Sequence, residues 1–438
     1  MQDKESSDPN KRIKQFIWLY FFLLIFEGAL RKWLLPGFSS VLLIIRDPIA
    51  LIIMVLCAHR GIFKINVYTA IIWALAFTSF CLTLTLGHRD LPVALYGLRI
   101  FLIQFPIIFV IGRVFDRDDV LKMGRVLIWI AIPMTVLMIA QFYSPQAAWV
   151  NRGLAGSAEG GGYRGALGFF RPPGTFSFTN GLAQFYGLVA AFVFYFWLEG
   201  KRYCNRWLIW AGSGCVLLSV PFSISRSLLY SIIISLCFAV AAAVRKPRYL
   251  SRIIAAAAVA AVLSIVLVNF EFVQTGVEAL TDRFEMATES EGGAQGTFID
   301  RFLGGMVDAV RYSDSVPTWG YGLGLGTNAG AMLVSGRTDF LISEGEWGRL
   351  IGEMGLLLGL GAILVRVWLV GEFFFRSIRA IGTQNCLPWM LLSSGFINIL
   401  QGQWAQPTSL GFAVLVGGII LAAFNIRRRP LIPTRAAF

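Results

Sequence analysis

"RPPGTFSFTNGLAQFYGLVAAFVFYFWLEGKR", residues 171–202, is the stretch whose reading decides the fold class. Residues 179–198 carry no charge, and ~20 helical residues at ~1.5 Å each are what crosses the hydrocarbon core of a bilayer. Lys201 and Arg202 follow at once. An apolar run closed by short, dense positive charge reads as a transmembrane helix whose basic end lies in the cytoplasm. Its other end opens on Arg171, Pro172, Pro173 and Asn180, residue types with no reason to gather at a plain lipid-facing helix mouth.

The same pattern recurs along the chain. Of 438 residues 56% are hydrophobic and 14% charged, and the mean hydropathy is +0.68, outside the range of soluble globular domains. The reading is an all-α polytopic membrane protein, one integral domain over residues 1–438, with about twelve transmembrane helices. They centre on residues 16–35, 40–58, 68–86, 92–112, 124–143, 179–198, 206–222, 227–244, 252–270, 347–366, 386–401 and 409–426. With the N-terminus cytoplasmic, the inner connections hold 24 of the 38 basic residues, as the positive-inside rule requires. Most of the +13 charge is then topological, and no nucleic-acid partner is called for.

The basic residues left on the outer side are thirteen arginines and Lys32. Guanidinium offers a fixed fork of donors to phosphate oxygens, whereas ammonium is a point charge, so this skew points to phosphate on the outer face. Glu27, Arg46, Asp47, Arg99, Gln184, Glu353 and Gln401 all lie nearer the outer ends of their spans. Charges at such depth face a bundle interior or a water-filled cavity. The reading is a polar crevice opening outward; scattered ion pairs between helices are the plainer alternative for some of these residues.

Two outer loops exceed ordinary connection length. Residues 144–178 contain the glycine-rich "GLAGSAEGGGYRGALG", which reads as mobile until "RPPGTF" stiffens it. Residues 271–346 form the larger loop, in which "FVQTGVEALTDRFEMATE" and "TFIDRFLGGMVDAVRY" have helical apolar spacing and predict short helices on the outer face. "PTWGYGLGLGTNAG" follows, a glycine run that lets backbone approach a ligand or another helix. "DRDD" at 116–119 contains the Asp-x-Asp of a nucleotide-sugar transferase, but on the inner side among basic residues it reads as a solvated loop. The six cysteines and two histidines form no cluster with ligand spacing, so no metal and no cofactor are expected.

In chain order these outer elements resemble the O-antigen ligase and O-antigen polymerase superfamily, membrane glycosyltransferases of the Wzy and WaaL type. The matching residues are Arg171, Gly174, Thr175, Phe176 and Asn180 in "RPPGTFSFTNGLA", Arg226 in "SISRSLL", Arg301, Gly322 and Gly324 in "RFLGGMVDAVRYSDSVPTWGYGLGLG", and Glu353, Gly355 and Gly359 in "EGEWGRLIGEMGLLLG". The resemblance covers residues 165–365 by motif. It implies a GT-C-like fold in the bacterial inner membrane, with the active site facing the periplasm or exterior. The substrate it implies is a glycan on undecaprenyl pyrophosphate, with membrane lipid and a chain-length regulator as further partners. Ligases of this family place a histidine eleven residues before the glycine that corresponds to Gly355, where this chain has Glu344, so the resemblance is closer to a polymerase than to a ligase.

On that basis Arg171, Arg226, Arg301, Asn180 and Arg99 are expected to bind substrate, Asn180 by capping or orienting the helix beneath it. Glu344 or Glu346 is expected to take the acceptor proton. A ligase-type transfer to another acceptor is the nearer alternative; a secondary transporter is the more distant one, and no paired halves with matching broken helices support it.

Overall fold

The computed structural model describes residues 9–199, 203–291, 305–311, 316–336, 341–383 and 385–426. Among these the chain is an all-α membrane protein whose only sheet is a two-residue hairpin, Tyr163–Arg164 against Phe170–Arg171. The helices are α1 (Lys11–Ala29), α2 (Ser39–Leu42), α3 (Arg46–His59), α4 (Val67–Thr85), α5 (Leu91–Arg99), α6 (Phe105–Val114), α7 (Arg117–Tyr143), α8 (Thr179–Glu199) and α9 (Arg206–Ser223). After them come α10 (Arg226–Arg245), α11 (Arg248–Val268), α12 (Glu271–Glu291), α13 (Gly305–Arg311), α14 (Asn328–Ser335), α15 (Glu346–Gly382), α16 (Leu387–Gln401) and α17 (Pro407–Ala422).

All twelve expected segments fall on helix, but the count of spans is smaller. Among the described residues eight helices are long and apolar enough to cross a bilayer, and a ninth is added if α2 and α3, bent by 44°, make one span. The shortfall is physical. Helices α16 and α17, at 15 and 16 residues, fall short of a ~30 Å core at ~1.5 Å each, and α9, with 18 residues, falls short in apolarity.

Local sequence explains the helix ends. Asp116 accepts hydrogen bonds from the backbone of Asp118 and Asp119 while Asp119 accepts from the Asp116 backbone, a reciprocal cap that starts α7. "DRDD" is thus the opening of a helix and not a solvated loop. Two spans carry π-turns, at Leu30–Leu34 and Ile100–Gln104, each beside a buried ion-pair cluster.

Helix α8, the apolar run of the opening quotation, is the centre of the bundle, packed by α7, α9, α10, α11, α16 and α17. Helix α11 lies at the periphery, with Tyr249 its only buried residue, as a mostly apolar helix does when lipid is its neighbour. The 144–178 segment is firmly tied. Asn151 donates to the carbonyls of Gln141 and Ser144, and Gln146 accepts from Gly162. "PPGTFS" is buried throughout, with Gln141 bonded to the Gly174 amide at 2.8 Å and Thr175 to the Ile25 carbonyl at 2.6 Å. The glycine-rich stretch is tethered at these points, and the "PPGTFS" that follows it is a folded plug seated on α1 and α7.

"WGYGLGLG" is likewise structural. The Leu323 amide donates to Thr83 Oγ1 at 2.9 Å, and the Gly322 amide donates to the Glu353 carbonyl at 3.1 Å. Gly324 has φ +88°, and a Cβ there would sit 2.1 Å from the Val93 carbonyl. Of ligand and helix, the glycine run approaches helix. Gly324→Ala is therefore expected to cost folded protein through both the left-handed backbone and the clash, read as loss of the monodisperse species after detergent extraction.

Candidate functional site

A cavity of about 1830 Å³ opens at the end of the bundle where α8 and α10 begin and α16 ends. Five of the seven expected site residues line it: Arg171, Asn180, Arg226, Glu344 and Glu346. They come from segments up to 175 positions apart in sequence.

Arg171 ends the second strand of the hairpin, and the buried Pro172 and Pro173 fix the chain behind it. Arg226 is the first residue of α10, whose cap Ser225 accepts from the Leu228 amide. Ser225 also accepts a hydrogen bond from Arg171 Nη2 at 3.4 Å, so one hydroxyl holds the two arginine-bearing segments together. The turn that delivers Ser225 runs through Ile224 at φ +46°. A β-branched residue in the left-handed region is strained, and here the buried Ile224 side chain packs against Gly165 of the hairpin. Arg31 and Arg283 add two further guanidiniums to the wall. At the rim stands Tyr163, whose phenol is pushed above its ordinary pKa by partial burial.

Asn180 is the second residue of α8, with an exposed side chain on the cavity. It does not occupy the capping position, because the helix has already begun at Thr179. Arg99 stands one layer back. Its Nη1 lies 2.7 Å from Asp47 and its guanidinium 3.9 Å from the ring centroid of Tyr96, and Tyr96, not Arg99, reaches the cavity. Arg301 lies outside the described residues.

The two carboxylates differ sharply. Glu344 is exposed on the turn before α15, held by a hydrogen bond from Gln403 Nε2 to its backbone carbonyl at 2.6 Å. Glu346 is buried, 2.8 Å from both Arg349 and Arg366, and its second oxygen accepts from the Trp404 amide at 3.0 Å. Arg349 also meets Glu353 at 2.7 Å, and Arg366 stacks 3.6 Å from the Trp404 ring. Two acids and two arginines, all buried, make a neutral group that ties α15 to the α16–α17 break.

Most intramembrane charges resolve in the same way. Glu27 pairs with Arg31 and Arg46, Asp47 with Arg99, and Glu353 with Arg349; of the seven residues that suggested a crevice, Gln184 and Gln401 line it. The crevice exists, but ion pairing accounts for the charges. Sequence reasoning passed over Tyr230, Gln403 and Gln406, which also line the cavity. The available signal was "QGQWAQP" at 401–407, three amides at a helix break.

Chemically, the cavity can hold an anion near Arg171, Arg226 and Arg283, with the Glu344 carboxylate exposed on the same wall. Compared with known proteins, the chain matches no protein-family model and no curated protein. Fold and site together define an all-α membrane-spanning protein with an arginine-rimmed polar cavity.

Proposed function

We propose that this protein is a membrane glycosyltransferase that polymerises or transfers undecaprenyl-pyrophosphate-linked glycan repeats on the outer face of the bacterial cytoplasmic membrane, as an O-antigen or exopolysaccharide polymerase. The observation that carries the reading is the convergence of Arg171, Arg226 and Glu344 on one cavity. The acceptor hydroxyl oxygen attacks the anomeric carbon of the donor glycan. As that bond forms, the bond from the anomeric carbon to pyrophosphate oxygen breaks, and the electron pair leaves with the pyrophosphate. Preorganised donors in a partly dehydrated site stabilise such a growing charge far better than water does, which is the part given to Arg171 and Arg226. The acceptor proton passes to the Glu344 carboxylate. Deletion in the source organism tests the assignment. Short or absent surface polysaccharide with accumulated single lipid-linked repeats is expected; unchanged polymer would overturn it.

Guanidinium geometry can be tested apart from charge. Arg171→Lys and Arg226→Lys keep the cation but lose the fork, so polymer is expected to fall about tenfold or more at normal protein level, since charged hydrogen bonds are worth ~1.5–3 kcal/mol each. Polymer of full length and amount in both variants would reduce the arginines to general electrostatics.

Orientation is checked by labelling. In a cysteine-free background, Ala158→Cys at the cavity end is expected to react with an impermeant maleimide in intact spheroplasts, and Lys64→Cys at the opposite end only after lysis. The reverse pattern would put the cavity in the cytoplasm.

A further inference from the structure

Below its arginine mouth the cavity changes character. Along α10 it is lined by Arg226, then Ser227, Tyr230, Ser231 and Ile234; along α16 it runs from Gln401 past Asn398 to Ser394 and Ser393. Eight helical residues on either wall give a descent of ~12 Å. Beyond the first turn, these walls and the facing stretch of α8 contribute hydroxyls, amides and apolar groups but no charge.

Amides stand on these walls. Gln184 is oriented by donating through Nε2 to Ser409 at 2.8 Å. Gln403 and Asn398 each give one amide N–H to a backbone carbonyl, of Glu344 and Ser394, and Gln401 joins them at the end of α16. Amides and hydroxyls on an uncharged wall suit a ligand rich in O–H groups, which can both donate to and accept from them.

We infer that the floor between α8, α10 and α16 is a recognition subsite for an uncharged, polyhydroxylated sugar, separate from the anion site at the mouth. A uronate or phosphorylated sugar at this depth would shed hydration without meeting a counter-charge, whereas each hydroxyl of a neutral pyranose exchanges water for an amide or serine. Calling this sugar part of a lipid-linked repeat rests on the glycosyltransferase reading; the subsite itself does not. The repeat unit handled by this protein is then neutral in the residue that reaches the floor, and any acidic residue stays near the arginines.

The test is saturation-transfer NMR on the purified full chain in lipid nanodiscs, with cellotetraose and maltotetraose as neutral probes and tetragalacturonate as the acidic one. Transfer to at least one neutral probe is expected. It should fall about fivefold in Gln401→Leu and in Gln184→Glu, the scale of one or two lost hydrogen bonds. Gln401 makes no side-chain hydrogen bond within the described residues, so its variant keeps the fold even if Gln184→Glu does not. Absence of transfer from both neutral probes, an unaltered signal in Gln401→Leu, or displacement of the neutral probe by tetragalacturonate would each overturn the inference. Undecaprenyl pyrophosphate added to the same sample separates the two claims. Sugar binding through Gln401 with no binding of that lipid removes the transferase reading and leaves the floor standing; lipid binding without sugar binding removes the floor alone.

Discussion

Glu344→Gln is expected to abolish transfer, by about 10²–10⁴-fold as for loss of a general base, while the protein remains at its normal level and still retains lipid-linked donor. The separation follows from where Glu344 stands. Its side chain is exposed in the cavity, and the turn is held by the backbone bond to Gln403, so an amide of the same shape disturbs nothing but proton transfer. Glu344→His is the sharper variant. The resemblance to O-antigen ligases puts imidazole at this spacing, and partial activity in the His variant, none in the Gln variant, would tie the position to the proton. Turnover by Glu344→Gln at the wild-type rate would show that another group takes it.

Glu346→Gln is expected to act on the fold instead. An amide there leaves Arg366, fully buried against Trp404, without its anion, and takes one of the two acids from Arg349. Breaking one partner out of a buried pair costs about 3–5 kcal/mol because a charge is left uncompensated. A marked fall in extractable, monodisperse protein and in its thermal midpoint should follow. A Glu346→Gln protein as stable as wild type but inactive would move the base from Glu344 to Glu346.

The contrast between these neighbours shows what the sequence could and could not tell. Two positions apart, the glutamates precede and open the same helix, and only Glu344 sits eleven residues before Gly355. Only packing distinguishes them: Arg366 lies twenty positions downstream and Trp404 beyond the next helix, contacts that no local pattern announces. Arg99 was misplaced for the same reason. A membrane arginine reads as functional, but Arg99 pairs with Asp47 and lies against the ring of Tyr96, and Tyr96 is the one that reaches the cavity. By contrast, helix positions were legible because apolar runs of ~20 residues have few alternatives in lipid. "RPPGTFS" was legible as a stiff mouth because two prolines restrict backbone wherever they occur. The tethers from Asn151 and Gln146 to the glycine-rich stretch before it cannot be read from composition.

Burial also explains why the span count came out high. Helix α17 is almost wholly apolar because the bundle surrounds it, packed by α6, α8 and α16. A window scan cannot separate a helix hidden in protein from one that crosses lipid, since both lack charge.

Reconstitution tests the central claim most directly. The purified protein is placed in liposomes with undecaprenyl-pyrophosphate-linked repeats extracted from the source organism, in the presence of EDTA, and the products are sized. The account predicts glycan oligomers rising in steps of one repeat, one undecaprenyl pyrophosphate released per step, and no product from the Glu344→Gln protein. Lipid-linked single repeats that persist unchanged beside folded wild-type protein would contradict it.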